Sequence, residues 1–114
     1  MKQVHWVGSS LEDLRALPLY VQDDVGYALY IAQLGGKAIR AKPLAGFKGA
    51  SVFEVVVHRA GEAYRAVYTV KLADAIYVLH VFHKKSKRGA ETPQADVKLI
   101  EQRLKMAVRE ATGK

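Results

Sequence analysis

The 114-residue chain contains no cysteine, which excludes disulfide bonds, thiol nucleophiles, iron–sulfur clusters and thiolate zinc sites. It also lacks a run of the ~18–20 apolar residues that a membrane-spanning helix needs, and its first residues form no apolar secretory segment. The four histidines never occur as the His-x3-His pair that places two metal ligands on one helical face. We therefore expect a cytoplasmic protein with no metal site, no membrane contact and no small-molecule cofactor.

Acidic residues are scarce, with 11 Asp and Glu against 18 Lys and Arg and a net charge of +7. Residues 1–36 hold two basic and four acidic side chains, and their net charge of −2 leaves +9 for the rest of the chain. A surplus of this size attracts polyanions, most commonly nucleic acid. The alternative is a basic surface that serves only solubility.

The hydrophobic periodicity and the turn residues predict an α+β fold in a single domain spanning residues 1–114. We expect an antiparallel-rich four-stranded sheet, an N-terminal helical hairpin and a C-terminal helix, in the order β-α-α-β-β-β-α. The predicted elements are a strand over 3–7, helices over 10–16 and 18–34, strands over 51–59, 63–72 and 75–83, and a last helix that starts at Thr92-Pro93 with Thr92 as its cap. Residues 37–49 and 84–91 are basic loops.

The second predicted helix carries two apolar stripes, which is more than packing on one surface requires. The second stripe consists of Tyr20, Tyr27, Ile31 and Leu34. It indicates either a helix held between its neighbour and the sheet or an exposed strip that docks a partner protein.

Two-residue turns between the last three strands pair Arg59 with Glu62 and Leu72 with Ala75, and these pairs determine which side chains share a face. One face is apolar, and we expect all the helices to cover it. Its members are Phe53, Val55, Val57, Tyr64, Ala66, Tyr68, Val70, Tyr77, Leu79 and Val81.

The opposite face is expected to be open and carries polar residues. Arg65 lies between Val56 and Phe82 on the middle strand, and Glu54 and His80 flank Val67 one pair further along. A guanidinium needs a carboxylate or a phosphate, so a central arginine on this face suggests anion binding. The alternative is an Arg65–Glu54 ion pair with a solvated His80.

The basic residues of this region match one type of chemistry better than others. In RNA strand cleavage the ribose 2′-OH is the nucleophile, so a protein needs only to position the strand, move protons and neutralise the phosphate. The candidate catalytic residues are Glu54, Arg65, His80 and Lys84, and the candidate RNA-binding residues are Lys48, His83, Lys85, Lys87 and Arg88.

Four sequence segments give the chain a family resemblance that extends over nearly its whole length. They are Lys42-Pro43-Leu44-x-Gly46-Phe47, Tyr64-Arg65-x-x-Tyr68, Ile76-Tyr77-Val78-Leu79-His80-x-Phe82-x-Lys84-Lys85-Ser86 and Thr92-Pro93-x-x-Asp96. With the predicted element order, they make the chain resemble the RelE/ParE toxin superfamily, and more narrowly its phage-derived HigB-like branch.

The resemblance implies the toxin of a type II toxin–antitoxin pair that cleaves mRNA on the ribosome and is neutralised by a helix-turn-helix antitoxin. The family's mid-strand arginine, which stabilises the scissile phosphate, corresponds to Arg65, and its basic cleft residues correspond to Lys84, Lys85 and Lys48. No tyrosine follows Tyr77, although such toxins usually have a catalytic tyrosine near the C-terminus. The general base is therefore left open among His80, His83 and a lysine, and strand parity favours His80.

Two further functions agree with the same resemblance. A ParE-like protein would inhibit a topoisomerase by binding it, and a phage-related module would bind RNA or protein without any chemistry. For the nuclease, an open-face Arg65 leads us to expect that Arg65→Ala abolishes toxicity and leaves the fold intact.

Overall fold

The computed structural model describes residues 1–47, 51–84 and 92–113, which form one mixed five-stranded sheet with helices on both of its faces. The elements are β1 (Val4–Trp6), α1 (Ser10–Arg15), α2 (Leu19–Gln33), β2 (Ala41–Pro43), β3 (Val52–Arg59), β4 (Glu62–Leu72), β5 (Ala75–Lys84) and α3 (Gln94–Thr112). The strand order is β1-β5-β4-β3-β2, in which β1 runs parallel to β5 and the other pairs are antiparallel. None of the helices in these ranges has the length and apolarity needed to cross a bilayer.

The residue pairs predicted at the two β-hairpin turns are confirmed. Arg59 pairs with Glu62, and Leu72 pairs with Ala75. Both turns use left-handed backbone conformations, with φ of 52° and 81° at residues 60 and 61 and φ of 46° and 55° at residues 73 and 74. Turns of this hand match the twist of the flanking strands, which explains why two residues suffice in each case.

The sheet has five strands rather than the predicted four. The additional strand, β2, lies in the segment 37–49 that was predicted to be a loop, and its Ala41 and Pro43 pair with Val55 and Phe53 of β3. Sequence patterning does not reveal it, because three residues show no alternation and a proline is tolerated only on an edge strand.

A β-bulge between β4 and β5 changes the expected faces of two residues. Val67 pairs with His80 but Tyr68 pairs with Val78, so Leu79 is an extra residue in β5. Consequently Leu79 and Tyr77 pack with Ile100 of α3, and their predicted place on the α1–α2 side is wrong. A bulge inserts one residue and inverts the alternation beyond it.

The α1–α2 pair covers one face of the sheet, which we call the α2 face. Its core contains Val21, Val25, Ala28, Leu29 and Ala32 of α2 together with Val55, Val57, Tyr64, Ala66, Tyr68, Val78 and Val81 of the sheet. The bulge brings Val78 to this face in place of Leu79 and Tyr77; the other sheet residues named here belong to the apolar face that strand parity predicted.

The opposite face, which we call the α3 face, is covered by α3, and the expectation that it is open was wrong. Ile100 and Ala107 of α3 are fully buried against Val67 and Leu79. The reason is that the apolar stripe of α3 must also leave water, and α1 and α2 already occupy the other side of the sheet.

Candidate functional site

The polar residues of the α3 face come together in the middle of the sheet, as the sequence predicted. Arg65 on β4 lies opposite Val56 and Phe82, and the neighbouring row places Glu54 and His80 on either side of Val67. The strand pairing therefore brings Arg65, Glu54 and His80 together on three adjacent strands.

Arg65 is buried, which corrects the expectation that it faces solvent. It is only 4% exposed, and its Nη1 atom donates a hydrogen bond of 3.0 Å to Oε2 of Glu54, a side chain that is equally inaccessible. A buried guanidinium requires such a carboxylate, because an uncompensated charge in the interior is very costly. The ion pair that we considered as the alternative is thus present.

The residues that lead into α3 lie over this ion pair. Thr92 Oγ1 lies 3.5 Å from Arg65 Nη1, where it accepts a long hydrogen bond. Thr92 was predicted to cap α3, but the helix begins at Gln94 with Pro93 in the cap position and no side-chain cap bond. The position of α3 over the sheet has turned the Thr92 hydroxyl toward Arg65 instead.

His80 is also buried rather than solvated, being 7% exposed. Its Nε2 atom lies 2.7 Å from Oδ1 of Asp96 in α3, and its ring stacks on Phe82 with centroids 4.6 Å apart. Its Nδ1 atom is buried without a hydrogen-bond partner among the described residues. A carboxylate bonded to one imidazole nitrogen orients the ring, which is how catalytic histidines are commonly held.

Lys84 and His83 end on opposite faces of β5. Lys84 is 6% exposed and shares the α3 face with Arg65. His83 stacks on Tyr64 of the α2-face core, and its Nε2 atom contacts the Glu62 carboxylate. The structure therefore brings Lys84 toward the site and does not bring His83 there. The other predicted RNA-binding residues, Lys48, Lys85, Lys87 and Arg88, lie outside the described residues.

A groove leads from the surface toward the Arg65–Glu54 pair. It has a volume of about 470 Å³ and runs between β2, the residues that follow β2 and the start of α3. The groove is lined by Lys42, Pro43, Leu44, Ala45, Glu54, Thr92 and Val97. Lys42 is exposed, and its backbone lies opposite Glu54 in the register of β2 and β3. The lining of the groove therefore includes a cation.

Sequence reasoning did not assign a role in the site to Asp96 or Lys42. Both belong to the segments that carry the family resemblance, and Asp96 also fits the preference for acidic residues in the first turn of a helix. The role of Asp96 at the start of the helix can be inferred from the sequence, but its contact with His80 cannot, because the two residues meet only after α3 has packed on the sheet.

Arg103 holds α3 in place, a role that the sequence pattern did not predict. Its Nη1 atom donates to the backbone carbonyl of Leu79 at 3.0 Å, and its Nη2 atom donates to Ser9 Oγ at 3.1 Å. The guanidinium lies against Gly8, where a Cβ atom would come within 2.9 Å of it and where φ is +57°. Gly8 therefore permits the contact that ties the middle of α3 to the sheet.

Comparison with known protein families supplies a match over most of the chain. The model of the family described as phage derived protein Gp49-like (DUF891) matches residues 12–105, which include Arg65, Glu54, His80 and Asp96. Comparisons with curated proteins and with solved structures give no match. On the strength of the family match and of the fold described above, the chain belongs to the phage-derived Gp49-like family, a family of RelE-like toxins.

Proposed function

We propose that the protein is the toxin of a type II toxin–antitoxin system and that it is a metal-independent, ribosome-dependent mRNA endonuclease of the HigB type. The observation that carries the proposal is the meeting of Arg65, Glu54 and the His80–Asp96 pair on one face of the sheet, beside a groove. A helix-turn-helix antitoxin is the proposed neutralising partner, and ribosome-bound mRNA is the proposed substrate.

The proposed reaction uses the RNA itself as the nucleophile. The ribose 2′-OH attacks the adjacent phosphorus, the bond to the 5′-oxygen of the next nucleotide breaks, and the products are a 2′,3′-cyclic phosphate and a 5′-hydroxyl. One group must accept the 2′-OH proton and another must return a proton to the leaving oxygen, while a cation neutralises the phosphate. Arg65 suits the phosphate, and His80 and Glu54 suit the proton transfers. Because His83 contacts the α2-face core, we propose His80 rather than His83 as the base.

The burial of Arg65 sets a condition on this mechanism. A phosphate can replace the Glu54 carboxylate on the guanidinium only if Thr92 and the first turn of α3, which holds Asp96, move away from the sheet. Opening this turn breaks the His80–Asp96 bond and exposes buried polar groups, so the binding energy of the substrate complex must offset that cost. A closed free chain agrees with an enzyme that acts only on the ribosome.

The same ion pair also favours a second candidate function. A toxin that only binds its target, such as a ParE-like topoisomerase inhibitor or a non-catalytic phage-related module, would keep Arg65 and Glu54 as a permanent structural pair. Both side chains being inaccessible to solvent is the observation that favours this reading.

The two candidates separate when the ion pair is replaced as a unit. Removing Arg65 alone leaves Glu54 charged and buried, whereas replacing both members with apolar residues of similar volume is often neutral for stability. The test variant is therefore Arg65→Met with Glu54→Leu. The matched control is Lys105→Met with Glu101→Leu, an exposed pair one helical turn apart on α3.

Circular dichroism and cooperative urea unfolding first establish that both double variants fold. We then expect the Arg65/Glu54 variant to lose growth inhibition and mRNA cleavage on translating ribosomes, and the control to keep both. A folded Arg65/Glu54 variant that still cleaves mRNA at the original rate would refute the site. Arrest of DNA synthesis before protein synthesis, with intact mRNA, would support the topoisomerase inhibitor instead.

A further inference from the structure

The solvent-facing side of α2 is unusually poor in charge for an exposed helix face. It consists of Leu19, Asp23, Gly26, Tyr27, Tyr30 and Leu34, the last being the C-cap residue, and we call these six residues the α2 stripe. Leu19 is 74% exposed, Tyr27 63% and Leu34 56%. A helix that only covers a core normally presents polar side chains to water, so this stripe requires a different explanation.

The structure resolves the two alternatives for the apolar residues of α2. Tyr20 and Ile31 pack against the α2-face core, as a sandwiched helix requires. Tyr27 and Leu34 remain exposed together with Tyr30. Part of the predicted second stripe is therefore a surface feature.

We propose that the α2 stripe is the contact surface of a symmetric homodimer, in which α2 of one protomer packs antiparallel against α2 of its partner. The proposal goes beyond the toxin activity and does not depend on it. Its occupant is a second copy of this chain, because the stripe is complementary to itself when its direction is reversed.

Self-complementarity follows from the positions of the six residues. In an antiparallel pairing whose two-fold axis passes between residues 26 and 27, Tyr27 of one protomer lies against Gly26 of its partner. The same axis places Asp23 next to the partner's Tyr30. It also places Leu19 next to the partner's Leu34. The Tyr27 ring fits beside the glycine, the Asp23 carboxylate can accept a hydrogen bond from the tyrosine hydroxyl, and the two leucines are both apolar.

Gly26 gives this pairing its central gap. A Cβ atom built on Gly26 meets nothing within 4 Å, so the glycine has no packing role inside the protomer. A glycine in the middle of a helix lowers helix stability relative to alanine and usually has another reason to be there. The gap admits a neighbouring aromatic ring and allows the two helices to approach closely.

This surface is free of the positive charge that would keep two copies of the chain apart elsewhere. Two molecules with a net charge of +7 repel each other over most of their surface, but the segment 1–36 carries −2 and the α2 stripe contains no cation. Asp24 next to the stripe is already matched by Arg40 at 3.8 Å. In the antiparallel arrangement the two Asp23 carboxylates are separated by about 10 Å along the helix axes, and each can accept a hydrogen bond from a Tyr30 hydroxyl.

A groove next to the stripe extends the apolar contact. It has a volume of about 390 Å³. Its lining is mainly apolar and also includes three charged residues: Tyr27, Ala28, Ile31, Ala38 and Ile39, with Asp24, Lys37 and Arg40. Ile39 is fully exposed in the protomer. The stripe and the groove together still make a small interface, so we expect a weak dimer that forms with rising concentration.

Sedimentation equilibrium of the full chain tests the proposal without any activity assay. We expect the apparent mass to rise from 12.6 kDa toward twice that value over a concentration range of about 1–500 μM. Gly26→Arg places a large charged side chain in the gap, and its Cβ meets no atom of its own protomer within 4 Å, so we expect it to weaken association by about tenfold or more. The matched control, Gln102→Arg, adds the same charge on exposed α3 and should associate like the parent chain.

Cross-linking tests the antiparallel register, because the chain has no cysteine of its own. A mixture of the Asp23→Cys and Tyr30→Cys chains should be joined by a short bismaleimide more efficiently than either chain alone. A mass of 12.6 kDa at every concentration would overturn the proposal. So would unchanged association of Gly26→Arg, and so would a monomer that uses the stripe only to bind a helix-turn-helix antitoxin.

Discussion

The two faces of the sheet are both covered by helices, but the side chains buried on them differ in polarity. The α2 face is closed by an almost wholly apolar core, in which α2 contributes five buried residues. The α3 face combines an apolar cluster around Ile100 with buried Arg65, Glu54, His80 and Lys84. The difference teaches that one face is specified by hydrophobic burial alone, whereas the other depends on polar groups finding matched partners.

The two kinds of face also differ in how they respond to change. Apolar contacts are non-directional and tolerate small shifts, but a buried ion pair stabilises only while both members are present. The α3 face is therefore the part of the molecule that is more sensitive to substitution.

The largest expected effect is on the ion pair of the α3 face. We expect Arg65→Ala to lower the free energy of unfolding by about 3–5 kcal/mol, because Glu54 would be left charged and buried. This replaces the expectation from the sequence that the variant keeps its fold. Urea unfolding measures the change, and Glu101→Ala on the exposed side of α3 should stay within about 0.5 kcal/mol of the parent. A loss below about 1 kcal/mol would mean that the pair does not stabilise the fold.

The next effect probes the one buried polar atom of the α2-face core that has no hydrogen-bond partner among the described residues. Burial raises the pKa of Tyr68 from 10.0 to about 12, and its hydroxyl is unpaired. Above pH 10 the unfolded chain therefore loses this proton while the folded chain keeps it. Stability consequently falls as the pH rises from about 10, and the total loss approaches roughly 2–3 kcal/mol once the pH is above 12.

Unfolding titrations between pH 9 and pH 12 with Tyr68→Phe as the control measure this contribution. The phenylalanine variant lacks the titrating group, so its stability should fall less steeply over that range. Equal slopes for the two proteins would show that Tyr68 does not titrate differently in the folded and unfolded states.

The smallest of the three effects concerns the attachment of α3. We expect Arg103→Ala to lower the free energy of unfolding by about 2 kcal/mol, since it removes two hydrogen bonds from a charged donor. Amide hydrogen exchange should quicken in α3 and remain unchanged in α2, while exposed Lys105→Ala should alter neither helix. Faster exchange in both helices would show that the two faces open together.

Several parts of the fold and the site followed from local sequence patterns. The hairpin pairs Arg59–Glu62 and Leu72–Ala75 were predicted correctly, since two turn residues between alternating strands leave little freedom in register. The same alternation correctly placed Arg65 between Val56 and Phe82.

Other parts depended on contacts between distant segments. The bulge at Leu79 reverses the alternation without any glycine or proline to mark it. Asp96 reaches His80 across 16 positions of sequence, and Arg103 reaches Ser9 across 94. No local propensity encodes such pairs, so the polar cluster could be located on the sheet but not recognised as buried.

By itself, the sequence determined the types of the elements other than β2, the residue pairs at the two hairpin turns and a strongly positive chain whose first third is slightly acidic. Periodicity, turn chemistry and charge can be read from the sequence directly, and they do not depend on contacts between distant segments. Only the tertiary structure decided that α3 lies over the polar face, pairs Asp96 with His80 and removes Arg65 from water. That choice results from burying the apolar stripe of α3 on the face of the sheet that α1 and α2 leave free, a balance of whole surfaces rather than of single residues.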